Sequence, residues 1–172
     1  MGWIRAIKYV RLRVLRVADT THKVAGGLAS GTCVSFTPLV GTHFIQAATL
    51  AYILRVNVFT AVIGTFVGNP WTFPFMWWVS FYLGDKIFSL LGYKNIGVMP
   101  DHITMDSLWE MIKTDPMNIF LPWLVGGYLA AALAWPIFYC VFYILVRSAK
   151  EARRKARLMK VQRVARELTQ EH

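Results

Sequence analysis

Six polar side chains sit beside breaks in otherwise apolar sequence: Thr42 and His43 after Pro38 and Gly41, Arg55 and Asn57 after a second apolar run, and Asn69 and Thr72 inside GNPWTFP. Hydroxyl, amide, imidazole and guanidinium groups can all donate hydrogen bonds to an anion. No Ser–His–Asp or Cys–His set is visible, and no Asp or Glu occurs between Asp19 and Asp85. His43 is the only histidine in the apolar segments, and the chain has no phosphate-binding Gly loop and no zinc-ligand spacing. No catalytic residue, metal ligand or cofactor is therefore assigned, and the chain is not read as an enzyme. A proton- or sodium-driven pump needs an intramembrane carboxylate, and this chain offers none there. What remains is neutral polar and positive chemistry. Thr42, His43, Arg55, Asn57, Asn69 and Thr72 suit a phosphate or a lipid headgroup, helped by helix N-termini restarting at Thr42 and Pro74. The competing reading is that these groups only satisfy one another across the fold.

The elements that must position them are apolar. Of the 172 residues 56% are hydrophobic and 16% charged, with mean hydropathy +0.43; a soluble domain has about 25% charged residues. The composition implies an integral membrane protein. Charge is uneven. Residues 1–23 carry net +5, residues 147–172 net +6 and residues 85–119 net −2. Basic residues accumulate on the cytoplasmic side, so both termini are expected in the cytoplasm of a bacterial inner membrane, with the acidic loop outside. Basic ends that flank apolar spans signal topology and anionic-lipid contact, not nucleic acid. Cys33 and Cys140 lie in apolar runs and read as small buried hydrophobes. A signal peptide is not expected, because the apolar run starts only after residue 23 and no A-x-A site follows.

The expected fold is all-α and membrane-embedded. Residues 1–20 form a basic amphipathic interfacial helix, in which Trp3, Ile7, Val10, Val14 and Val17 share a face. Residues 21–91 form a core broken at Pro38, Gly41, Pro70 and Pro74. Within it Val24–Thr37 and Thr42–Leu54 hold 14 and 13 residues, or about 20 Å each against a hydrocarbon core of about 30 Å. They read as a re-entrant hairpin that returns Arg55 to the cytoplasmic side. Val58–Leu83 then crosses outward with its break at Asn69–Pro74. The rival assignment makes 24–54 one kinked span and 58–83 the hairpin. Residues 92–119 form an outer loop with a short helix at Thr104–Lys113. Residues 120–147 form a final span kinked at Pro136, and 148–172 a basic cytoplasmic tail, itself helical. Gly27, Gly31 and Ser35, and Gly126, Ala130 and Ala134, are small residues spaced by four. Such stripes let helices approach closely and suggest a homo-oligomer or a subunit of a membrane complex.

In order, AGGLASG, FTPLVGTH, LRVN and GTFVGNPWTFP resemble the DUF2062 family of small bacterial membrane proteins. The resemblance covers about Thr21–Gly84 and is most specific in Asn-Pro-x-Thr-x-Pro. By that resemblance the motif residues are Pro38, Gly41, His43, Arg55, Asn57, Asn69, Pro70, Thr72 and Pro74. The family carries no known function. Related domains fused to glycosyltransferase-like enzymes suggest envelope-lipid work, either passive translocation of a lipid precursor or a scaffold that recruits a biosynthetic enzyme. Trp71 stands where a smaller aliphatic residue is more usual, which would narrow a cavity at the break.

Overall fold

The structure, a computed structural model, describes residues 19–93, 109–110, 113 and 116–170. The interfacial helix expected in 1–20 and most of the loop helix expected at Thr104–Lys113 lie outside them.

The helix α1 (Thr21–Val34) starts where Thr20 leaves helical geometry and its hydroxyl accepts the Lys23 N–H at 3.3 Å. Its composition is small and apolar, and every residue from Val24 to Val34 except Leu28 is buried. It stops after Val34, where Thr37 folds back to donate its hydroxyl to the Val34 carbonyl at 2.8 Å. Then come α2 (His43–Ile53), α3 (Val58–Gly64) with one 3-10 turn (Thr65–Val67), α4 (Phe73–Leu90) and α5 (Pro116–Gln170). All regular structure among the described residues is helical. The breaks fall where the prolines and glycines predict, and helix resumes at Phe73, one residue before Pro74.

The small residues set the packing. A Cβ on Gly31 would lie 1.8 Å from the Ala61 carbonyl oxygen, and one on Gly27 2.4 Å from that of Asn57. Gly64 meets the Leu28 carbonyl in the same way. These pairs, with Gly68 against Ser35, run α1 and α3 side by side in the same direction. The short helix α2 runs back between their ends, and Ala47 and Ala51 share a core with Val34, Val56 and Ala61.

α5 runs opposite to α1. Lys150 reaches Asp19, Tyr139 meets His22, Trp135 meets Ser30 and Gly127 lies on Phe36. α4 continues past the end of α1 along the same partner. Met76 packs with Phe36 and Ala130, and Gly84 lies on the Pro122 carbonyl. α1 therefore covers the half of α5 nearest its basic tail, with α2 and α3 packed on α1, and α4 covers the other half. The breaks between helices meet about midway along the apolar part of α5.

α5 differs from expectation only in being continuous. One helix of 55 residues runs through both the expected final span and the expected separate tail, with Pro122 and Pro136 inside it. Each proline removes one helical hydrogen bond without ending the helix. Past the apolar stretch, Arg147 donates to Glu151 at 2.8 Å one turn on and holds that carboxyl below the usual carboxylate range. α5 is the one helix among the described residues long and apolar enough to cross a membrane. The small-residue stripes serve close helix packing within the chain. Gly27, Gly31, Gly126 and Ala130 are buried against other helices of the same chain.

Replacing Gly31 by Ala should lower stability by about 1–3 kcal/mol, the usual cost of overpacking, because backbone stands where the methyl must go. Thermal unfolding in detergent checks this, with Ala25→Gly as a small-residue control expected to shift the melting point less.

Candidate functional site

The polar residues singled out by sequence gather at two places, not one. The first is the end of the bundle beside the basic tail. Here α2 ends with the Val56 N–H bonded to the Ala51 carbonyl at 2.9 Å and the Arg55 N–H to the Tyr52 carbonyl at 3.1 Å. This is the Schellman closure, in which the residue after the cap is left-handed and usually glycine. Arg55 holds that position with φ 53° and is exposed. The same closure ends α4, where Gly92 takes the left-handed position at φ 85°. One helix thus uses glycine and the other an arginine, although a left-handed L-residue costs roughly 1–2 kcal/mol.

Two residues on, Asn57 caps α3. Its amide oxygen accepts the Thr60 N–H at 2.8 Å and its amide nitrogen donates to the Asp19 carboxylate at 2.6 Å. Asp19 also lies 3.8 Å from the Lys23 ammonium, and its carbonyl accepts from Lys150 at 2.6 Å. Lys23, Asp19, Asn57 and Lys150 join the starts of α1 and α3 to the side of α5, with Arg55 beside them. Among the described residues Arg55 has no ion-pair partner.

The second place is the midway junction. His43 is buried and its Nε2 lies 3.1 Å from the Thr37 carbonyl oxygen. The Thr42 hydroxyl donates to the Leu39 carbonyl at 2.8 Å and accepts from Gln46 at 2.7 Å. Gly41, at φ 91°, turns the chain between α1 and α2. The other strand of the junction is a closed turn. Asn69 Oδ1 accepts the Trp71 and Thr72 N–H groups at 2.9 and 3.1 Å, while the Thr72 hydroxyl accepts the Asn69 N–H at 2.9 Å. That reciprocal pairing has the logic of a capping box, and it explains the spacing of Asn-Pro-x-Thr. The His43 and Phe73 rings lie 5.9 Å apart and link the two turns. Trp71 is 92% exposed. It points away from the junction, because the turn holds its N–H inward, and so it narrows no cavity there. Beneath Gly68, the buried Ser35 hydroxyl has no partner among the described residues.

Between these places runs a cleft of about 610 Å³, walled by α2 and closed behind by α1 and α5. It extends from Gln46 and Tyr128, hydrogen-bonded at 3.1 Å, along Leu50 and Ile53 to Leu54. Sequence reading missed this cleft and the link from Asp19 to Lys150. Both depend on residues more than eighty positions apart, which no local spacing reports. Among the described residues no three of His, Cys, Asp or Glu gather as a metal site would require.

Residues 4–155 match the profile of an uncharacterized protein family conserved in bacteria, DUF2062. The chain belongs to the DUF2062 family. The match extends well beyond the motifs at Thr21–Gly84 and takes in the apolar part of α5. No curated protein and no solved structure matches the chain. In this DUF2062 chain the family-like motifs coincide with the two closures and two turns just described. FTPLVGTH is the α1–α2 turn, LRVN the Arg55 closure with its Asn57 cap, and NPWTFP the Asn69 turn.

Two substitutions at one closure should move in opposite directions. Arg55→Gly should raise stability by about 1 kcal/mol, since glycine takes the left-handed position without strain. Asn57→Ala should lower it by about 1–2 kcal/mol, losing a helix cap and leaving the Asp19 carboxylate without its amide partner. Chemical denaturation followed by circular dichroism in detergent reads both.

Proposed function

We propose that this DUF2062 protein is a bacterial inner-membrane protein that handles an anionic, phosphate-bearing lipid, as a passive translocator of an envelope lipid precursor. In this reading α5 crosses the bilayer. α1 and α2 form a re-entrant hairpin from the cytoplasmic side, and α3, the Asn69 turn and α4 together make a broken second crossing. Both termini are cytoplasmic. One observation carries the reading: three short helices stop together midway along the apolar part of α5, with their polar turns internally hydrogen-bonded. At 1.5 Å per residue α1 and α2, of 14 and 11 residues, reach only about 15–20 Å. That is little more than half a hydrocarbon core. Non-helical backbone at such depth is tolerated where protein or a wet cavity surrounds it. The result is a thin place beside a full-length helix, with Lys23, Arg55 and Lys150 at its cytoplasmic rim. The segments from α1 to the start of α4 hold no carboxylate, which suits movement of lipid down its own gradient.

A second reading, a scaffold that recruits an enzyme, is favoured by the tail. α5 continues past Arg147 as a basic helix whose Leu158, Met159 and Val161 are exposed.

Purified protein in liposomes with fluorescently labelled phosphatidylglycerol separates the two. A translocator exposes inner-leaflet label to an impermeant quencher faster than empty vesicles do, without a proton gradient. Leaflet exchange equal to that of empty vesicles removes the translocator reading. A tail truncated after residue 150 should leave exchange unchanged, whereas a scaffold would lose its partner with the tail.

A further inference from the structure

We infer that the cleft along α2 is a binding site for one acyl chain of an anionic glycerophospholipid, whose phosphate is held by Arg55. This rests on the membrane reading above and assigns the lipid a place.

The cleft has the size and lining for it. Its volume of about 610 Å³ lies within the roughly 300–1,000 Å³ of sites that hold one small ligand, enough for one chain and not for a whole two-chain lipid. Its length follows from α2: Gln46 to Leu54 span about 12 Å of helix axis. The walls are apolar, chiefly Ile45, Leu50, Ile53, Trp135 and the alanines of α5. At the deep end, the Tyr128 hydroxyl and the Gln46 amide pair with each other and offer a chain no unpaired polar group. The outer wall is low, since Ile45 and Ile53 are 70% and 67% exposed. A chain can therefore slide in from the side while its sister chain stays in the bilayer, which is the geometry of a glycerophospholipid.

Charge fixes the other end. Leu54 is the last lining residue, and Arg55 follows it at the rim with no ion-pair partner among the described residues. Lys23 and Lys150 lie in the same polar cluster, and its one carboxylate, Asp19, already takes the Asn57 amide. The rim is left with net positive charge above an apolar slot. Arginine suits phosphate because its planar fork can donate two parallel bonds. The backbone gives the second argument. The α4 closure shows that this fold makes the same turn with glycine, yet α2 keeps a side chain in a left-handed position where it is costly. A strained residue that persists points to a role for its side chain, and here that side chain stands at the mouth of the cleft.

The test uses the full-length protein incorporated into vesicles of phosphatidylglycerol and phosphatidylcholine in equal amounts, then extracted in mild detergent for native mass spectrometry. Wild type should retain one phosphatidylglycerol in about tenfold preference over phosphatidylcholine, the ratio expected from one charge-assisted contact. Arg55→Gly should abolish the preference while its melting temperature stays at or above that of wild type, which excludes misfolding as the cause. Thr49→Trp, an exposed lining position, should fill the cleft and remove both lipids. Preference that survives Arg55→Gly overturns the inference, as does lipid that survives Thr49→Trp. Competition by inorganic phosphate alone would make the site one for a free anion and also overturn it. So would an Ile53→Cys variant that cross-links two copies face to face across the cleft. Leaflet exchange measured on the same variants keeps the readings apart: exchange that persists without retained lipid sinks the cleft site and leaves translocation standing.

Discussion

The contact on which the rest depends is backbone against backbone, between α1 and α3. Gly27 and Gly31 let the Asn57 and Ala61 carbonyls approach closer than any side chain would allow. Because α3 sits so close, α2 can close the side of both, and α1 is left with no exposed face for most of its length. A helix so small in side chains gains little from area burial alone. Its stability comes from the density of contact, since each missing fraction of an ångström would forfeit dispersion energy along a whole turn. The same device holds α4 to α5, where Gly84 and Gly126 face the Pro122 and Ser80 carbonyls. The two halves of the molecule are separate glycine-lined contacts joined by the rod of α5.

Around those contacts most polar groups are satisfied within the chain, although the Ser35 hydroxyl and the Trp77 and Trp123 indole N–H groups have no partner among the described residues. The Asn69 turn satisfies its own N–H groups, and Thr42, Gln46 and Thr37 close the neighbouring turn. An unsatisfied amide in an apolar medium costs roughly 2–7 kcal/mol, so turns of this kind can sit where water is scarce. Ser30 and Ser80 follow the same rule. Their hydroxyls bond to the Gly26 and Phe36 carbonyls at 2.8 Å, and neither is exposed. Arg55 stands apart as a charged and strained residue at the closure beside the cleft.

Much of this could be read from the sequence. Pro38, Gly41, Pro70 and Pro74 mark the breaks because proline lacks a donor and glycine alone is at ease at φ 91°. The small-xxx-small spacing announces close helix contact, but not with which partner. Intrachain and interchain packing need the same residues, so a homo-oligomer and the observed α1–α3 contact leave the same trace. The tail past Arg147 reads as helical from its Lys, Arg, Ala and Glu content, but a change from apolar to charged residues does not say that one helix runs unbroken across it. The six candidate residues can all donate hydrogen bonds, and that shared capacity does not divide them. Their separation into the Arg55–Asn57 end and the His43–Asn69 junction follows from the direction of α2, which carries residues 43 and 55 to opposite ends of a short helix.

The unbroken course of α5 has a mechanical consequence. Fifty-five residues in one helix make a rod of roughly 80 Å. Tyr128, Ala131 and Trp135 on that rod form the back wall of the cleft, and Lys150 pins it to the start of α1. The basic tail and the cleft wall are thus parts of one continuous helix, with the missing hydrogen bond of Pro136 between them, and Lys150 ties that helix to the start of α1.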